Sequence, residues 1–407
     1  MDFDFSSEEK MVRDQVDRYL MNNCENGVFR SVLEGEGAYS EDVWRGLVEM
    51  GVPGTAISAE YGGVGAGYST LCLVAEQLGA YLAPTPFSSS IYLAAEAIQL
   101  FGTEDQKQTW LPKLAAGEVI GTLAVTESTQ ESAEDNIQVS CSDGKLSGRK
   151  LIVPHAGIAD LCVVVARDIS AGVNLYLVDL GDAISASPDS VSVTPIDTVD
   201  NTMNSCSVEF ANTPCELLGA SGEGWRQLKV VYDRAAVLIA FEQIGGARKA
   251  LDMAVDYAKG RFAFGRPIGS FQALKHMMAD MYVALKLAES NCYYAAWALS
   301  TDSVELPLAA ATARVSATQA YQLCARDNIQ VHGGMGFTWE FDCHLEIKPE
   351  NLRPSTDRPS RTRSGEWVAF NVNWFFSNRA SPPVIISSAL CSAARRSINA
   401  TSIRMQP

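Results

Sequence analysis

Cationic residues are scarce in this sequence. Its 32 Lys and Arg stand against 48 Asp and Glu, a net charge of −16 over 407 residues. That balance excludes nucleic acid as the main partner, because phosphate backbones are held by clustered basic surface. It does not exclude an anionic small ligand, which needs only a few local cations and helix N-termini. Metal ligands are scarce too. Four histidines and ten scattered cysteines, from Cys24 to Cys391, form no CxxC pair and no Cys/His cluster at zinc spacing. Free thiols in a reducing cytoplasm are the simplest reading. No apolar run reaches about 18 residues, so no membrane span is expected. The acidic start MDFDFSSEEK lacks the apolar segment of a secretory leader. GGVGAG at Gly62–Gly67 does not fit GxGxxG and follows no predicted strand, so a dinucleotide-binding fold is not supported.

What is present is a globular composition, 47% hydrophobic and 20% charged, in a chain long enough for two or three domains. Residues 1–118 read as helical. Met11, Val12, Val16, Tyr19 and Leu20 make a 3.6-period stripe. SEDVWRGLVEMG has Ser40 placed to cap its start and Gly51 its end. STLCLVAEQLGAYLA and SSIYLAAEAIQLFG are two further apolar helices. From 119 to 215 the pattern shifts to short β-branched runs split by Gly, Asp, Asn and Pro. That spacing predicts a small β-barrel or sandwich. From 216 to 345 long helical segments return and predict a bundle. The expected class is α+β multidomain: an N-terminal helical domain, a small central β-barrel and a C-terminal long-helix bundle.

The character changes after residue 345. Residues 346–407 hold nine Lys/Arg and four Asp/Glu, a local balance of +5, and prolines recur at Pro349, Pro354, Pro359, Pro382 and Pro383. A poorly ordered tail is one reading. An aberrant end to the chain, such as a frameshift, is the other.

Several motifs in this order resemble the acyl-CoA dehydrogenase family. They are EYGGVGAGY (60–68), GTEDQKQTWLPKLAAGEVIG (102–121), LAVTES (123–128) and LSGRKLIVPHAGIADLCVVVA (146–166). RFAFGRPIGSFQ (261–272) and IQVHGGMGFTWE (329–340) are the most specific. IAFEQIGGA (239–247) is closest to the bacterial branch acting on branched, cyclic or steroid-derived acyl-CoAs. The resemblance implies FAD as cofactor, an acyl-CoA substrate and an electron-transfer flavoprotein as acceptor. It also implies a homo- or hetero-oligomer with a related subunit.

The implied reaction removes a proton from Cα and a hydride from Cβ of a thioester. Its base needs a dry pocket where the pKa is raised. Glu242 lies in AAVLIAFEQIGG, apolar for two turns around it, where a charge is costly unless paired or functional. It is the candidate base; a Glu paired across the bundle or facing solvent is the alternative. One family base position falls at Ala235, seven residues earlier on the same helix stripe. The other falls near Asp357, in PSTDRPSR, which lacks the family's EGT-like context.

For the flavin, the resemblance implies contributions from two subunits. Leu123, Val125 and Thr126 border the ring, Ser132 stands near the phosphates and Ile152 belongs to the second flavin motif, LSGRKLIVPHAGIADLCVVVA. The loop STQESAED carries Glu131 and Glu134 in place of glycines, an awkward charge beside a pyrophosphate. Pro154 removes a backbone donor from the second motif. From the neighbouring subunit, Arg261 reaches the pyrophosphate. Phe264 packs at the adenine, Gln272 hydrogen-bonds nearby, and Gln330, Gly333 and Gly334 allow close backbone approach. Asp233 and Arg234 stand where the family meets CoA or the acyl chain; an exposed acid–base pair is the alternative. His276 and His332 read as surface or core histidines rather than ligands. These departures leave open a second function, a catalytically weak or non-catalytic partner subunit of a heteromeric dehydrogenase. A third reading is a damaged, unstable chain.

Overall fold

The computed structural model describes residues 5–345 except 25, 129–131, 187–188, 197 and 199–200. The tail 346–407, with Asp357, and Glu131 therefore lie outside the described residues.

Helices come first: α1 (Ser7–Asn23), α2 (Asn26–Leu33), α3 (Glu41–Glu49), α4 (Gly67–Ala80), α5 (Glu96–Phe101) and α6 (Glu104–Ala115). Their starts are written in the local sequence. The Ser6 hydroxyl accepts the Glu9 N–H at 3.2 Å while the Glu9 carboxylate accepts the Ser6 N–H at 2.6 Å, a reciprocal cap that satisfies two orphan donors. Thr103 and Gln106 repeat the device at α6. Ser40 caps α3, and Gly51, at φ 74°, follows its end as expected. One element differs in kind. SSIYLAAEAIQLFG opens as a π-helix over Ser88–Ala95 before continuing as α5. Such widened turns are rare and gather at functional sites.

The central domain is one mixed sheet of β1 (Gly121–Ala124), β2 (Ser140–Ser142), β3 (Lys145–Val153), β4 (Leu161–Asp168), β5 (Gly172–Asp179), β6 (Val191–Pro195), β7 (Cys206–Pro214) and β8 (Glu216–Leu218). The order is β6-β7-β3-β2-β4-β5-β8, with β1 added parallel to β4. Among the described residues nothing pairs β6 with β8, so the sheet is open and the expected barrel is not seen. Closure is not needed to bury it. Leu161, Val163 and Val165 of β4 pack into the helical core, and Cys162, Val164 and Ala166 into a second cluster. The alternation follows the two-residue period of a strand. A short helix, α7 (Leu180–Ala186), adds Leu180 and Ala183 to that second cluster.

The long helices α8 (Gly224–Gly260), α9 (Gln272–Ser300) and α10 (Leu306–His332) form the bundle. A hairpin of β9 (Phe262–Ala263) and β10 (Arg266–Pro267) links α8 to α9. Its turn places Phe264 and Gly265 at φ 54° and 75°, the left-handed pair of a tight two-residue turn. Asp233 and Arg234 lie inside α8, nine residues or more past its start at Gly224.

The contact that positions the site is between α4 and α8. A Cβ at Gly79 would sit 2.0 Å from the Glu242 carbonyl oxygen, and one at Gly245 would sit 1.9 Å from the Glu76 carbonyl oxygen. Two glycines thus let the helices meet backbone to backbone. Among the described residues no helix is long and apolar enough to cross a membrane, and no group of three or more His, Cys, Asp or Glu is placed to hold a metal.

Candidate active site

A cavity of about 100 Å³ forms where the three parts of the chain converge. Gly79 comes from α4, Phe87 from the start of the π-helix, and Thr202 and Met203 from the sheet domain. Glu242 and Gln243 come from α8, and Tyr321 from α10. The wall is largely apolar, so the Glu242 carboxyl loses water without gaining a full counter-charge. Burial pushes its pKa up to about 7, while the Tyr92 hydroxyl beside it and the Arg314 guanidinium oppose the rise. Arg314 is itself buried, and burial pulls it down to about 10. It donates to the Gln243 side-chain oxygen, and to the Thr318 hydroxyl at 2.7 Å. A carboxyl poised near neutrality in an apolar cavity is equipped to take and return a proton. Ala235, at the other base position on this helix, is buried and offers no such group.

The strand that leads into the residues read as ring contacts meets the π-helix that also carries Tyr92. The Gly121 N–H, at the start of β1, donates to the Ser90 hydroxyl at 3.0 Å. Two residues along the same π-helix, Tyr92 stands beside Glu242. Leu123 and Val125 are buried, and Thr126, Ser132 and Ile152 are half-buried. Thr126 and the second motif do meet: the Leu151 N–H donates to the Thr126 carbonyl at 2.7 Å. Ile152 has φ 52°, an uncommon conformation for a β-branched residue. It falls at a register shift in the β3–β7 pairing between Lys150 and Val153. The Pro154 carbonyl accepts from the Thr122 hydroxyl at 2.6 Å.

A third group gathers at the far end of the bundle. Arg261, Phe264 and Gln272 are exposed, as are Gln330, Gly333 and Gly334. Tyr257 stacks on His332 with ring centroids 4.0 Å apart, which brings the ends of α8 and α10 together. His332 is thus a core histidine, and His276 is exposed. None of this group, nor Leu123, Val125, Thr126, Ser132 or Ile152, lines the cavity that holds Glu242.

Arg234 is neither exposed nor turned to the cavity. Its buried guanidinium donates to the Glu96 carboxylate, bonds Asp302 at 2.9 Å and lies 4.5 Å from the Tyr68 ring centre. The expectation of a ligand contact there meets a cation already committed to a structural tie. Asp233 is half-buried beside it.

Sequence reasoning passed over Lys150, Tyr92 and Arg314. Lys150 did carry a signal, since it has the same strand parity as buried Leu146. Tyr92 sat in a helix buried almost all round, where no periodicity singled it out.

This arrangement is that of a known class. The acyl-CoA dehydrogenase N-terminal domain profile matches residues 6–118, and the C-terminal domain profile matches residues 222–346. The chain belongs to the acyl-CoA dehydrogenase family, flavin oxidoreductases acting on CH–CH bonds. It is 31% identical over 344 residues to acyl-CoA dehydrogenase IpdE2 of Mycobacterium tuberculosis, covering 84% of this chain and 90% of that one. It is 29% identical over 366 residues to the probable acyl-CoA dehydrogenase YngJ of Bacillus subtilis, covering 86% and 94%. Among solved structures, the ChsE4-ChsE5 complex from Mycobacterium tuberculosis matches with a TM-score of 0.75 at 26% identity, over 86% of this chain and 93% of that one. The Tcur3481-Tcur3483 steroid ACAD matches with a TM-score of 0.74 at 26% identity, over 85% and 92%.

Proposed function

We propose that this chain is an FAD-dependent acyl-CoA dehydrogenase that forms an α,β double bond in a CoA thioester, with Glu242 as the base. The observation that carries the reading is the Glu242 carboxyl, held near neutral pKa in an apolar cavity at the meeting point of the three domains. Near neutral pH such a group is an effective acceptor for the weakly acidic α-proton. Bound FAD supplies the acceptor for the β-hydride at N5. The backbone contact at Gly79 holds Glu242 at the cavity wall, and the apolar lining keeps water from the exchanged proton.

The chain's residues fit a flavin from two directions. In one subunit Leu123, Val125, Thr126 and Ile152 take the ring side, and Ser132 stands near the phosphates. From a second subunit Arg261, Phe264, Gln272, Gln330, Gly333 and Gly334 take the nucleotide side. Two features support the second set. A Cβ at Gly333 or Gly334 would meet nothing within 4 Å, so their backbone is open to a ligand. Arg261 is exposed and, among the described residues, forms no ion pair. Reduced flavin would pass its electrons to an electron-transfer flavoprotein. The similarity to steroid-type relatives favours a branched or ring-bearing acyl group.

The decisive experiment is Glu242→Gln in purified protein with flavin bound. Dehydrogenation of a panel of straight, branched and ring-bearing thioesters is expected to vanish while visible flavin absorbance persists. Unchanged turnover rejects Glu242.

A specific observation favours the second reading, a non-catalytic partner subunit. Pro154 has no N–H to offer a flavin and its carbonyl is spent on Thr122. The ChsE4-ChsE5 match is with a complex of two differently named chains. Purification alone and with a related subunit separates the two. Flavin retained only in the mixed complex supports the partner role.

A further inference from the structure

Lys150 is fully buried at 0% side-chain exposure. Desolvation pulls its pKa down to about 8, against the pull of Glu127. A buried ion pair is a poor device for stability alone, since removing both charges from water offsets most of their attraction. Its geometry is more informative. The ammonium donates to the Val125 carbonyl at 2.9 Å and to the Glu127 carboxylate at 2.6 Å. That carboxylate also accepts the Gln138 N–H at 2.6 Å and the Val139 N–H at 3.1 Å. Between the two anchors, the Thr126 carbonyl accepts the Leu151 N–H at 2.7 Å.

These bonds begin where the ladder stops. The pairing of β1 with β4 ends at Ala124, so residues 125–127 leave the sheet without its regular bonds. Each of the three is instead tied to β3, two of them by the one ammonium.

We propose that Lys150 is a positioning residue for the flavin: it clamps residues 125–127 and thereby fixes the backbone that carries Thr126. The proposal rests on the reading of Thr126 as a ring contact. A neutral side chain of similar length would fill the space but leave the segment free to shift. Preorganised donors lose effect when their backbone is loosened.

The test compares the parent with Lys150→Met/Glu127→Gln, a pair that removes both charges at nearly constant volume and so avoids a stranded buried ion. Apo protein is titrated with FAD, followed by flavin fluorescence and visible absorbance. The double variant is expected to bind at least about tenfold more weakly while its melting stays cooperative. Lys150→Arg, which keeps the charge, is expected to recover part of the affinity. Amide exchange at Gln138 and Val139 reads the clamp without flavin and is expected to quicken in the double variant. FAD affinity within about threefold of the parent overturns the proposal, as does unchanged exchange at both amides. A parent that takes up no FAD, either alone or with a related subunit, removes the flavin reading itself, and with it this role for Lys150, whatever the exchange data show.

Discussion

Gly79 and Glu242 touch through their backbones: a single added carbon at Gly79 would lie 2.0 Å from the Glu242 carbonyl oxygen. Neither helix can yield at that point without moving the carboxyl at the cavity wall. Gly79→Ala is therefore expected to cost about 3 kcal/mol of stability by forced separation of packed helices and to lower turnover. Thermal melts and steady-state rates check both. An alanine variant with parental stability and rate would show that the helix contact does not position the base.

Glu242 should also set a pH signature. Its pKa, near 7 in the folded protein, is raised above the carboxylate's ordinary value. As a base it must be ionised, so kcat/KM is expected to rise with pH and level off above about 7. Stability runs the other way. A raised folded pKa favours the protonated form, so that contribution is full below about 4.5, is lost progressively as pH climbs from there to about 7, and changes no further above it. Glu242→Gln is then expected to be more stable than the parent at pH 8, on the order of 2 kcal/mol, and nearly equal to it at pH 4. Urea unfolding at both pH values measures this.

Arg234 offers a clean choice between structure and substrate. Replacing it with Met leaves Glu96 buried without its cation, which is expected to cost roughly 3–5 kcal/mol. Restoring neutrality with Arg234→Met/Glu96→Gln should recover much of the loss. If Arg234 instead held the CoA thioester, the single variant would unfold normally and show only a raised KM.

Arg261 makes the opposite prediction. It is exposed and, among the described residues, forms no ion pair, so Arg261→Gln should melt within about 0.5 kcal/mol of the parent. Its FAD affinity is expected to fall about tenfold, the worth of one charge-assisted contact to phosphate. Equal affinity in parent and variant would remove Arg261 from the flavin site.

The sequence by itself determined what is local. The change of hydrophobic period separated helices from sheet and sheet from bundle. Ser6, Ser40 and Thr103 wrote their helix starts, because a cap needs only a hydroxyl and an N–H three residues away. Glu242 stood out because a lone carboxylate in an apolar helix is costly wherever that helix packs. Tertiary structure decided the rest. The sheet stayed open because strand pairing joins residues far apart in the chain, and no local pattern states whether β6 and β8 meet. Arg234 pairs with Glu96 from 138 residues away, and Lys150 with Glu127 across 23. Whether such a cation binds a ligand or a partner in the fold depends on which carboxylate folding brings beside it, and that is settled only when the long-range contacts form.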